Sequence, residues 1–193
     1  MEKKSLVLAS GSPRRKELLS QLGYEFSVLV TDVEECKHAQ ETAEEYVKRL
    51  SLDKALAALS LLGVSDSEKQ HVVLGSDTVV VSQGQVLEKP ADFSDSKRML
   101  TQLANHRHQV MTAVSVVSAT QQNTKIVITD VWFKPLSEKE IEQYWETGEP
   151  CDKAGSYGIQ GLGGRFVTRI EGSYYAVVGL PLFETDQLLQ EFL

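Results

Sequence analysis

The chain reads LVLASGSPRRKELLSQLG from residue 6 to residue 23, a short apolar strand that passes through a tight turn into a helix. Ser12 is a natural N-cap, and Pro13 suits the first helical position because its missing N–H would have had no intrahelical partner. Gly23 provides a stop signal at the other end of the helix. The stretch therefore predicts a strand–turn–helix unit in which the N-terminus of the helix lies at the turn.

The predicted helix begins with three consecutive cations, Arg14, Arg15 and Lys16, next to the turn Ser10-Gly11-Ser12. Backbone N–H groups and the positive end of the helix dipole favour anions at this end, so each cation costs a few tenths to about 1 kcal/mol. An anionic ligand would offset that cost. The pattern favours a phosphate-binding site, and the alternative is a well-capped surface helix whose arginines are solvated.

The composition narrows the class of protein. With 193 residues, 41% of them hydrophobic, the chain can bury a core as one domain or as two closely joined lobes. The net charge of −7 argues against polymeric DNA or RNA as the partner, because such binding depends on a broadly basic face. A small polyanion in a locally basic cleft is compatible with this charge.

The sequence contains neither a secretory signal nor a membrane span by its pattern. The charged opening is followed by an apolar stretch too short for a signal core, and no apolar run reaches membrane-spanning length. Cys36 and Cys151 lie far apart and lack metal-ligand spacing, so we interpret both as reduced thiols without a catalytic role. We therefore expect a cytoplasmic protein with no membrane partner.

Strands and helices alternate along the rest of the chain without repeats or an obvious linker. Capping boxes at Thr42 with Glu45 and at Ser137 with Glu140 mark the starts of two helices. The predicted strands are 26–30, 72–81, 86–87, 110–117, 125–133, 166–170 and 175–179, and the predicted helices are 42–62, 94–104, 137–148 and one opened by Pro181. Hairpins mixed with strand–helix pairs imply an α/β fold with a mixed, twisted sheet and flanking helices.

Asp77 lies between the apolar runs Val72–Leu74 and Val79–Val81, where a buried strand requires an apolar side chain. Burial of an unpaired carboxylate is expensive, and Gly75 suggests a bulge or kink that turns this side chain into a cleft. Beside bound phosphates, a carboxylate that binds a metal or accepts a proton is the favoured interpretation. The alternative is an aspartate that caps a turn through its own backbone.

An acidic loop and two lysines supply the remaining candidates. The loop carries Glu34 and Glu35, which would provide a second carboxylate or are simply solvated, as most acidic loops are. Lys54 falls near the centre of an apolar stripe on its helix, which indicates an inward-facing ammonium group, with snorkelling to solvent as the alternative. Lys89 precedes Pro90 on a rigid extended segment and is a further candidate.

Other motifs do not indicate a known site. The glycines between residues 155 and 164 fit neither a dinucleotide fingerprint nor a Walker loop, and we interpret them as close approaches of the backbone to a ligand base or to another strand. His106 and His108 are interpreted as exposed polar groups, since two histidines do not make a zinc site. The spacing supports no Ser-His-Asp or Cys-His arrangement.

Four motifs taken together resemble those of one known family. They are SGSPRR at Ser10–Arg15, GSDT at Gly75–Thr78, EKP at Glu88–Pro90 and DKAGSYGIQG at Asp152–Gly161. In content and order they closely resemble the motifs of the Maf family of nucleoside triphosphate pyrophosphatases, and the resemblance covers essentially the whole chain.

Within that family, the chain resembles the branch that acts on dTTP and UTP. Arg14, Thr78 and Gln160 match the positions associated with base choice, whereas the branch that acts on 7-methyl-GTP has Trp, Gln and Glu there. The Gln160 amide can both donate and accept hydrogen bonds, which suits the acceptor–donor–acceptor edge of uracil or thymine. Modified pyrimidine nucleotides are further candidate substrates.

The resemblance implies an elongated, two-lobed Maf/ITPase-like fold in which residues 1–193 form a single domain around a central cleft. It also implies hydrolysis between the α and β phosphates, which gives a nucleoside monophosphate and pyrophosphate. The expected cofactor is a divalent cation, Mg²⁺ with Mn²⁺ as the alternative, and the expected assembly is a homodimer.

The same resemblance assigns roles to the candidate residues. Asp77 matches the family's proposed general base, and Glu35, Lys54 and Lys89 match other catalytic positions. Glu35 and Asp77 would also hold the metal ion. The residues expected to bind the substrate are Ser10, Ser12, Arg14, Arg15, Thr78 and Gln160.

A different class of function stays open at this point, because the family is also named for the inhibition of septum formation. A nucleotide-binding regulator of cell division with little or no turnover would share the phosphate-holding residues. A purely scaffolding protein would show neither binding nor release. The carboxylates discriminate between these readings, because only an enzyme requires Asp77 for turnover.

Overall fold

The computed structural model describes residues 4–65 and 70–193. The strands are β1 (Ser5–Leu8), β2 (Phe26–Val28), β3 (His71–Ser82), β4 (Gln85–Leu87), β5 (Arg107–Val117), β6 (Gln122–Phe133) and β7 (Val167–Glu171). The α-helices are α1 (Pro13–Gln21), α2 (Ala43–Ser65), α3 (Phe93–Leu103), α4 (Glu138–Glu146), α5 (Tyr174–Val178) and α6 (Leu182–Phe192). Short 3-10 helices lie at Glu149–Asp152, Ala154–Ser156 and Leu162–Phe166.

Within the described residues, seven strands form one sheet in the order β2-β1-β3-β5-β6-β7, with β4 paired to β3. Strand β1 runs parallel to both β2 and β3. In contrast, β4 is antiparallel to β3 and β7 is antiparallel to β6. The predicted α/β class with a mixed sheet and flanking helices is therefore confirmed.

The helix starts predicted from capping patterns are confirmed. Ser12 accepts a hydrogen bond from the backbone N–H of Arg15 at the start of α1, and Ser137 forms a reciprocal capping box with Glu140 at the start of α4. Thr42 and Glu45 exchange the same pair of bonds ahead of α2. These ends are predictable because the groups that satisfy the first N–H groups lie within three residues.

The chain divides into two compact units. The first comprises Met1–Asp77, Thr112–Val127 and Gly179–Leu193, and the second comprises Thr78–Met111 and Ile128–Val178. The first has a core cluster built from small aliphatic side chains, namely Val7, Ala9, Ala55, Ala58, Val73 and Val117. The second has a larger cluster with aromatic members, including Phe133, Tyr144, Tyr157 and Phe166. The single domain with two lobes around a cleft stays a prediction.

Strand β3 continues from His71 to Ser82 and includes Gly75, and the predicted bulge or kink at this glycine stays a prediction. A Cβ atom at Gly75 would lie 2.2 Å from the carbonyl oxygen of Ser51 and 2.9 Å from the amide nitrogen of Ala55, both in α2. The absence of a side chain at Gly75 therefore allows the backbone of α2 to pack closely against β3. No local sequence pattern indicates this contact.

The predicted strand 175–179 is wrong, since Tyr174–Val178 forms α5. The Tyr- and Val-rich sequence favours a strand, but Ser173 begins a helical turn instead. Its side chain accepts from the amide of Ala176, and its carbonyl oxygen accepts from the amide of Val177. These capping bonds override the intrinsic preference of the side chains for a strand.

The interpretation of the two histidines as exposed is correct for His106 and wrong for His108. The ring nitrogen Nε2 of His108 lies 2.7 Å from the hydroxyl oxygen of Tyr157, inside the aromatic cluster of the second unit. Burial lowers the pKa of His108 to about 4, so the ring is neutral at physiological pH. His108 is therefore a buried member of the aromatic cluster rather than an exposed polar group.

No helix in the described part of the chain combines the length and the apolar character that a bilayer crossing requires. Both cysteines, Cys36 and Cys151, are exposed free thiols.

Candidate active site

The register of the parallel strands brings the basic turn and Asp77 to the same end of the sheet. Leu8, the last residue of β1, pairs with Leu74 of β3, and the amide of Ala9 donates to the carbonyl oxygen of Leu74 at 2.8 Å. Beyond this point β1 gives way to the turn that opens α1, whereas β3 continues for three more residues to Asp77. The turn therefore follows the carboxyl end of β1, and Asp77 lies three residues beyond the point where the parallel pairing of β3 with β1 ends. Ligands bind beyond the carboxyl ends of the strands in open α/β sheets.

Two serine hydroxyls hold the basic turn in shape. The amide of Ser12 donates to Ser10 Oγ at 3.2 Å, and the amide of Arg15 donates to Ser12 Oγ at 3.4 Å. Arg14 and Arg15 follow on the first turn of α1, and both are half-buried. The arrangement places cationic side chains at the positive end of a helix, which is an anion-binding environment.

A backbone carbonyl that the sequence analysis missed links this turn to β3. The carbonyl oxygen of Gly179 accepts from Arg15 Nε at 2.8 Å and from the hydroxyl of Ser76 at 3.0 Å. Gly179 has a φ of 133°, a conformation that favours glycine. Nothing in the local sequence indicates this contact, because Gly179 lies 164 residues after Arg15 in the chain.

Asp77 faces α2 and pairs with Lys54. Residues two apart in a strand share a face, so Asp77 lies on the same side as Gly75, the residue that approaches the α2 backbone. Lys54 Nζ lies 2.7 Å from Asp77 Oδ1 and 2.8 Å from Glu35 Oε1. Asp77 is only 6% exposed. The lysine thus bridges a buried and an exposed carboxylate.

Electrostatics couple these groups to the basic turn. Burial raises the pKa of Asp77 above its usual value, although the charges of Lys54 and Arg15 oppose the rise. Burial likewise lowers the pKa of the Arg15 guanidinium, an effect that Asp77 and Glu35 partly offset. Arg15, Glu35, Lys54 and Asp77 therefore form one cluster of interacting charges within the first unit.

The acidic loop that carries Glu35 is tied to α2 by two side chains. The Tyr46 hydroxyl donates to the carbonyl oxygen of Glu35 at 3.1 Å, and Arg49 Nη2 donates to the carbonyl oxygen of Cys36 at 2.8 Å. Arg49 also makes a two-pronged ion pair with Glu41, with nitrogen–oxygen distances of 2.6 and 2.9 Å. No local sequence pattern indicates this anchor, because its partners are separated by 8 to 13 residues.

Glu35 and Asp77 offer the oxygen ligands that a hard divalent cation prefers. Among the described residues, no group of three or more acidic, histidine or cysteine side chains is clustered as a complete metal site. This donor set fits Mg²⁺, which commonly binds one or two carboxylates and completes its shell with substrate phosphates and water.

The remaining predicted site residues belong to the second unit. Thr78 follows Asp77 in β3 and is half-buried, whereas Lys89 and Gln160 are exposed. Lys89 precedes the buried Pro90, and Gln160 lies in the turn of the glycine-rich loop. Their roles in binding or catalysis stay predictions.

The comparisons with known proteins agree with the motif resemblance. The chain matches the family model described as Maf-like protein over residues 5–192. A protein of Vibrio parahaemolyticus named dTTP/UTP pyrophosphatase is 71% identical over 189 residues, which cover 98% of this chain and 97% of that protein. Proteins of the same name from Vibrio vulnificus strain YJ016 and Vibrio cholerae are 71% and 64% identical, and each alignment covers 97% of this chain and 97% or more of the relative.

The family match and these relatives span nearly the full length of the chain, so the likeness includes both compact units and every motif from Ser10 to Gly161. The chain belongs to the Maf-like protein family.

Proposed function

We propose that the chain is a pyrophosphatase that hydrolyses dTTP and UTP to the nucleoside monophosphate and pyrophosphate. The observation that carries this proposal is the cluster of Asp77, Lys54 and Glu35 beside the basic turn of α1. Relatives up to 71% identical are named for this activity. The alternative role, a regulator of cell division without turnover, is not favoured by these names.

In the proposed reaction, water is added across the bond between the α and β phosphates. The water oxygen joins one phosphorus, the bridging oxygen stays with the other, and the nucleoside monophosphate and pyrophosphate are released. Asp77 orients the water and accepts its proton, a role that suits a buried carboxylate with a raised pKa. Lys54 and Lys89 stabilise the negative charge that develops on the phosphates. Arg14 and Arg15, with Ser10 and Ser12 at the start of α1, hold the phosphate chain in position.

Glu35 and Asp77 would together hold a divalent cation, Mg²⁺ or Mn²⁺. When bound, this ion neutralises charge on the phosphates and orients the scissile bond. Thr78 and Gln160 would select the base, since the Gln160 amide can pair with the alternating acceptors and donor of uracil and thymine.

The test is a substrate panel of dTTP, UTP, CTP, GTP and 7-methyl-GTP, assayed for pyrophosphate with Mg²⁺ and again with a chelator. We expect release from dTTP and UTP in the presence of metal and loss of release in the chelator. The Asp77→Asn variant should still bind nucleotide but turn it over more slowly by about 10² or more, since it keeps the shape and loses the base.

Glu17→Gln is the matched control, because Glu17 is an exposed acid on α1 outside the cluster. It should release pyrophosphate at the wild-type rate. Equal turnover by Asp77→Asn and the wild type would remove Asp77 from the chemistry. A wild-type protein that binds dTTP and UTP without releasing pyrophosphate would instead support the regulator.

The homodimer and the cytoplasmic location are further proposals, and they rest on the family resemblance and the sequence pattern alone. Sedimentation equilibrium of the purified chain tests the first, and fractionation of cells tests the second.

A further inference from the structure

The glycine-rich loop that carries Gln160 is fastened by a carboxylate outside the loop. Glu149 Oε2 accepts from the amide of Leu162 at 2.9 Å, and Glu149 Oε1 accepts from the amide of Gly163 at 3.0 Å. The Tyr144 hydroxyl donates to Glu149 Oε1 at 2.6 Å and accepts from the amide of Gly158 at 3.1 Å. One carboxylate and one phenol therefore satisfy amides on both sides of Gln160.

The turn itself is closed by its own backbone. The amide of Gly161 donates to the carbonyl oxygen of Gly158, so Gln160 occupies the third position of a four-residue turn. A loop of this kind has few side chains of its own to pack, and its shape depends on where its amides find acceptors. Here the acceptors are Glu149 and Tyr144.

Two glycines of the loop lie so close to these acceptors that a side chain there would collide with them. A Cβ atom at Gly161 would stand 2.3 Å from Glu149 Oε2, and one at Gly163 would stand 2.6 Å from the Tyr144 hydroxyl oxygen. The close backbone approach predicted for this loop is thus made, within the second unit, to a carboxylate and a phenol. The predicted approach to another strand is confirmed at Gly155, where a Cβ atom would stand 2.8 Å from the side chain of Val80 in β3. The approach to a ligand base stays a prediction.

The chemistry of the pair is suited to a permanent tether. Burial alone would raise the pKa of Glu149, but hydrogen bonds from Tyr144 and from the amides of Gly163 and Leu162 lower it below its usual value. Burial and the same hydrogen bond raise the pKa of Tyr144. Glu149 is therefore a charged acceptor and Tyr144 a neutral donor across the physiological range.

We propose that Glu149, acting with Tyr144, is a positioning residue that holds the turn of Gln160 in the conformation that selects a pyrimidine base. This inference rests on the proposed function, and in particular on base recognition by Gln160. Both carboxylate oxygens of Glu149 accept from loop amides, so the role that we assign to it is indirect. It acts by restricting the backbone from which the Gln160 amide projects, which reduces the conformational cost of binding.

The experiment compares Glu149→Gln with the wild type and with Glu146→Gln, the control. Glu146 is an exposed acid three residues earlier, so its variant changes the charge equally without touching the loop. In Glu149→Gln, the amide group replaces one acceptor by a donor and leaves a loop N–H without its partner. We expect KM for UTP to rise by about tenfold with kcat within about threefold of the wild type, and kcat/KM for UTP relative to ATP to fall by a similar factor.

A second variant, Tyr144→Phe, tests whether the effect of Glu149→Gln is only a loss of folding. It keeps the ring, which packs edge-on against Phe166 at 4.9 Å between centroids, and removes only the hydroxyl. It should shift KM and selectivity in the same direction as Glu149→Gln. Amide hydrogen exchange provides a readout that needs no turnover, and exchange at Leu162 and Gly163 should accelerate in Glu149→Gln and not in Glu146→Gln.

A double-mutant cycle with Gln160→Ala separates positioning from general stability. If Glu149 acts through Gln160, adding Glu149→Gln to Gln160→Ala causes no further loss of selectivity, whereas independent effects would multiply. The assignment of Glu149 is overturned, and the proposed function is not, if the wild type is active and Glu149→Gln leaves its selectivity unchanged. It is likewise overturned if the losses in the cycle multiply. A wild type that releases no pyrophosphate from dTTP or UTP would overturn the proposed function first, and unchanged amide exchange would then still exclude the tether.

Discussion

At the scale of single residues, the protein places a carboxylate where a strand interior should be apolar. Asp77 is tolerated there because Lys54 and Arg15 supply opposite charge within the same cluster of interacting side chains. Such an arrangement costs stability compared with an apolar pair, and groups of this kind are commonly retained for function. We therefore expect the free energy of unfolding and kcat to respond differently when the charges of Lys54 and Asp77 are removed together.

We predict that Lys54→Met lowers both the free energy of unfolding and kcat. Removing one partner leaves the buried carboxylate of Asp77 short of compensating charge, at a cost of about 3 kcal/mol, and the loss of transition-state stabilisation lowers kcat by about 10² or more. The double variant Lys54→Met/Asp77→Asn should recover part of the stability but none of the activity, because a neutral amide needs no cation. Urea unfolding and steady-state pyrophosphate release measure the two effects.

The control for this prediction is Lys48→Met, an exposed lysine on the same helix. It should leave both quantities close to the wild type. If the double variant proves no more stable than Lys54→Met, the ion pair with Asp77 is not the source of the stability loss.

At the scale of elements, helix α2 organises the first unit. The turn 51–55 packs against β3 at Gly75, and Lys54 within that turn pairs with Asp77. The preceding turns carry Tyr46 and Arg49, which anchor the loop of Glu35. A shift of this helix along the strand would therefore disturb both carboxylates at once.

Gly75→Ala should destabilise the protein by about 3 kcal/mol or more. The added methyl group would collide with backbone atoms of Ser51 and Ala55, which move only if the helix moves. Gly63→Ala, in α2 itself, is the opposite case, since no described atom outside the neighbouring helix backbone lies within 4 Å of the added Cβ. It should stabilise by about 0.5–1 kcal/mol because alanine favours the helix. Thermal or urea unfolding of the two variants should thus shift in opposite directions, and shifts of the same sign would contradict this packing.

Glu41→Gln should destabilise the protein by about 1–2 kcal/mol at neutral pH, since it breaks the two-pronged pair with Arg49. The hydrogen bond from Arg49, with that of the His38 amide, lowers the pKa of Glu41 from 4.5 to about 2. A depressed carboxyl pKa contributes stability above 4.5 that is lost as the pH falls towards 2. The stability difference between wild type and variant in urea should therefore shrink over that window.

The matched control is Glu44→Gln, an exposed acid in the first turn of α2. It should leave most of that pH dependence in place. A wild-type–Glu41→Gln difference that stays constant from pH 6 to pH 3 would show that the ion pair adds nothing to stability in solution.

At the scale of the whole molecule, the first unit is assembled from segments that are distant in sequence. Its C-terminal helix α6 returns to the N-terminal half, where the Tyr24 hydroxyl donates to Asp186 at 2.6 Å. The same helix accepts a hydrogen bond from Asn123 through Glu191 at 2.9 Å. Loop-closure entropy must be overcome before such contacts form, so they come late in folding and leave no local sequence pattern.

The sequence by itself determined the α/β class, the helix starts at Ser12, Thr42 and Ser137, and the chemical types present at the candidate site. These features depend on hydrogen bonds and hydrophobic periods that span only a few residues, so they can be read locally. The family resemblance added a prediction of the substrate class. The local prediction of a strand was wrong for the helix that begins after Ser173. There the capping hydrogen bond of Ser173 overrides the preference of the Tyr and Val side chains for a strand.

Only the tertiary structure decided which acid stands beside Lys54, that Gly75 lies against the backbone of α2, and that Glu149 fastens the loop of Gln160. Each of these contacts joins residues that are brought together by sheet register or helix packing, from 13 to 24 positions apart in the chain. The alternation of apolar and polar residues specifies which face of an element is buried, but not which atom of another element meets it. That choice is made when the elements pack, because close packing admits few arrangements of the same side chains.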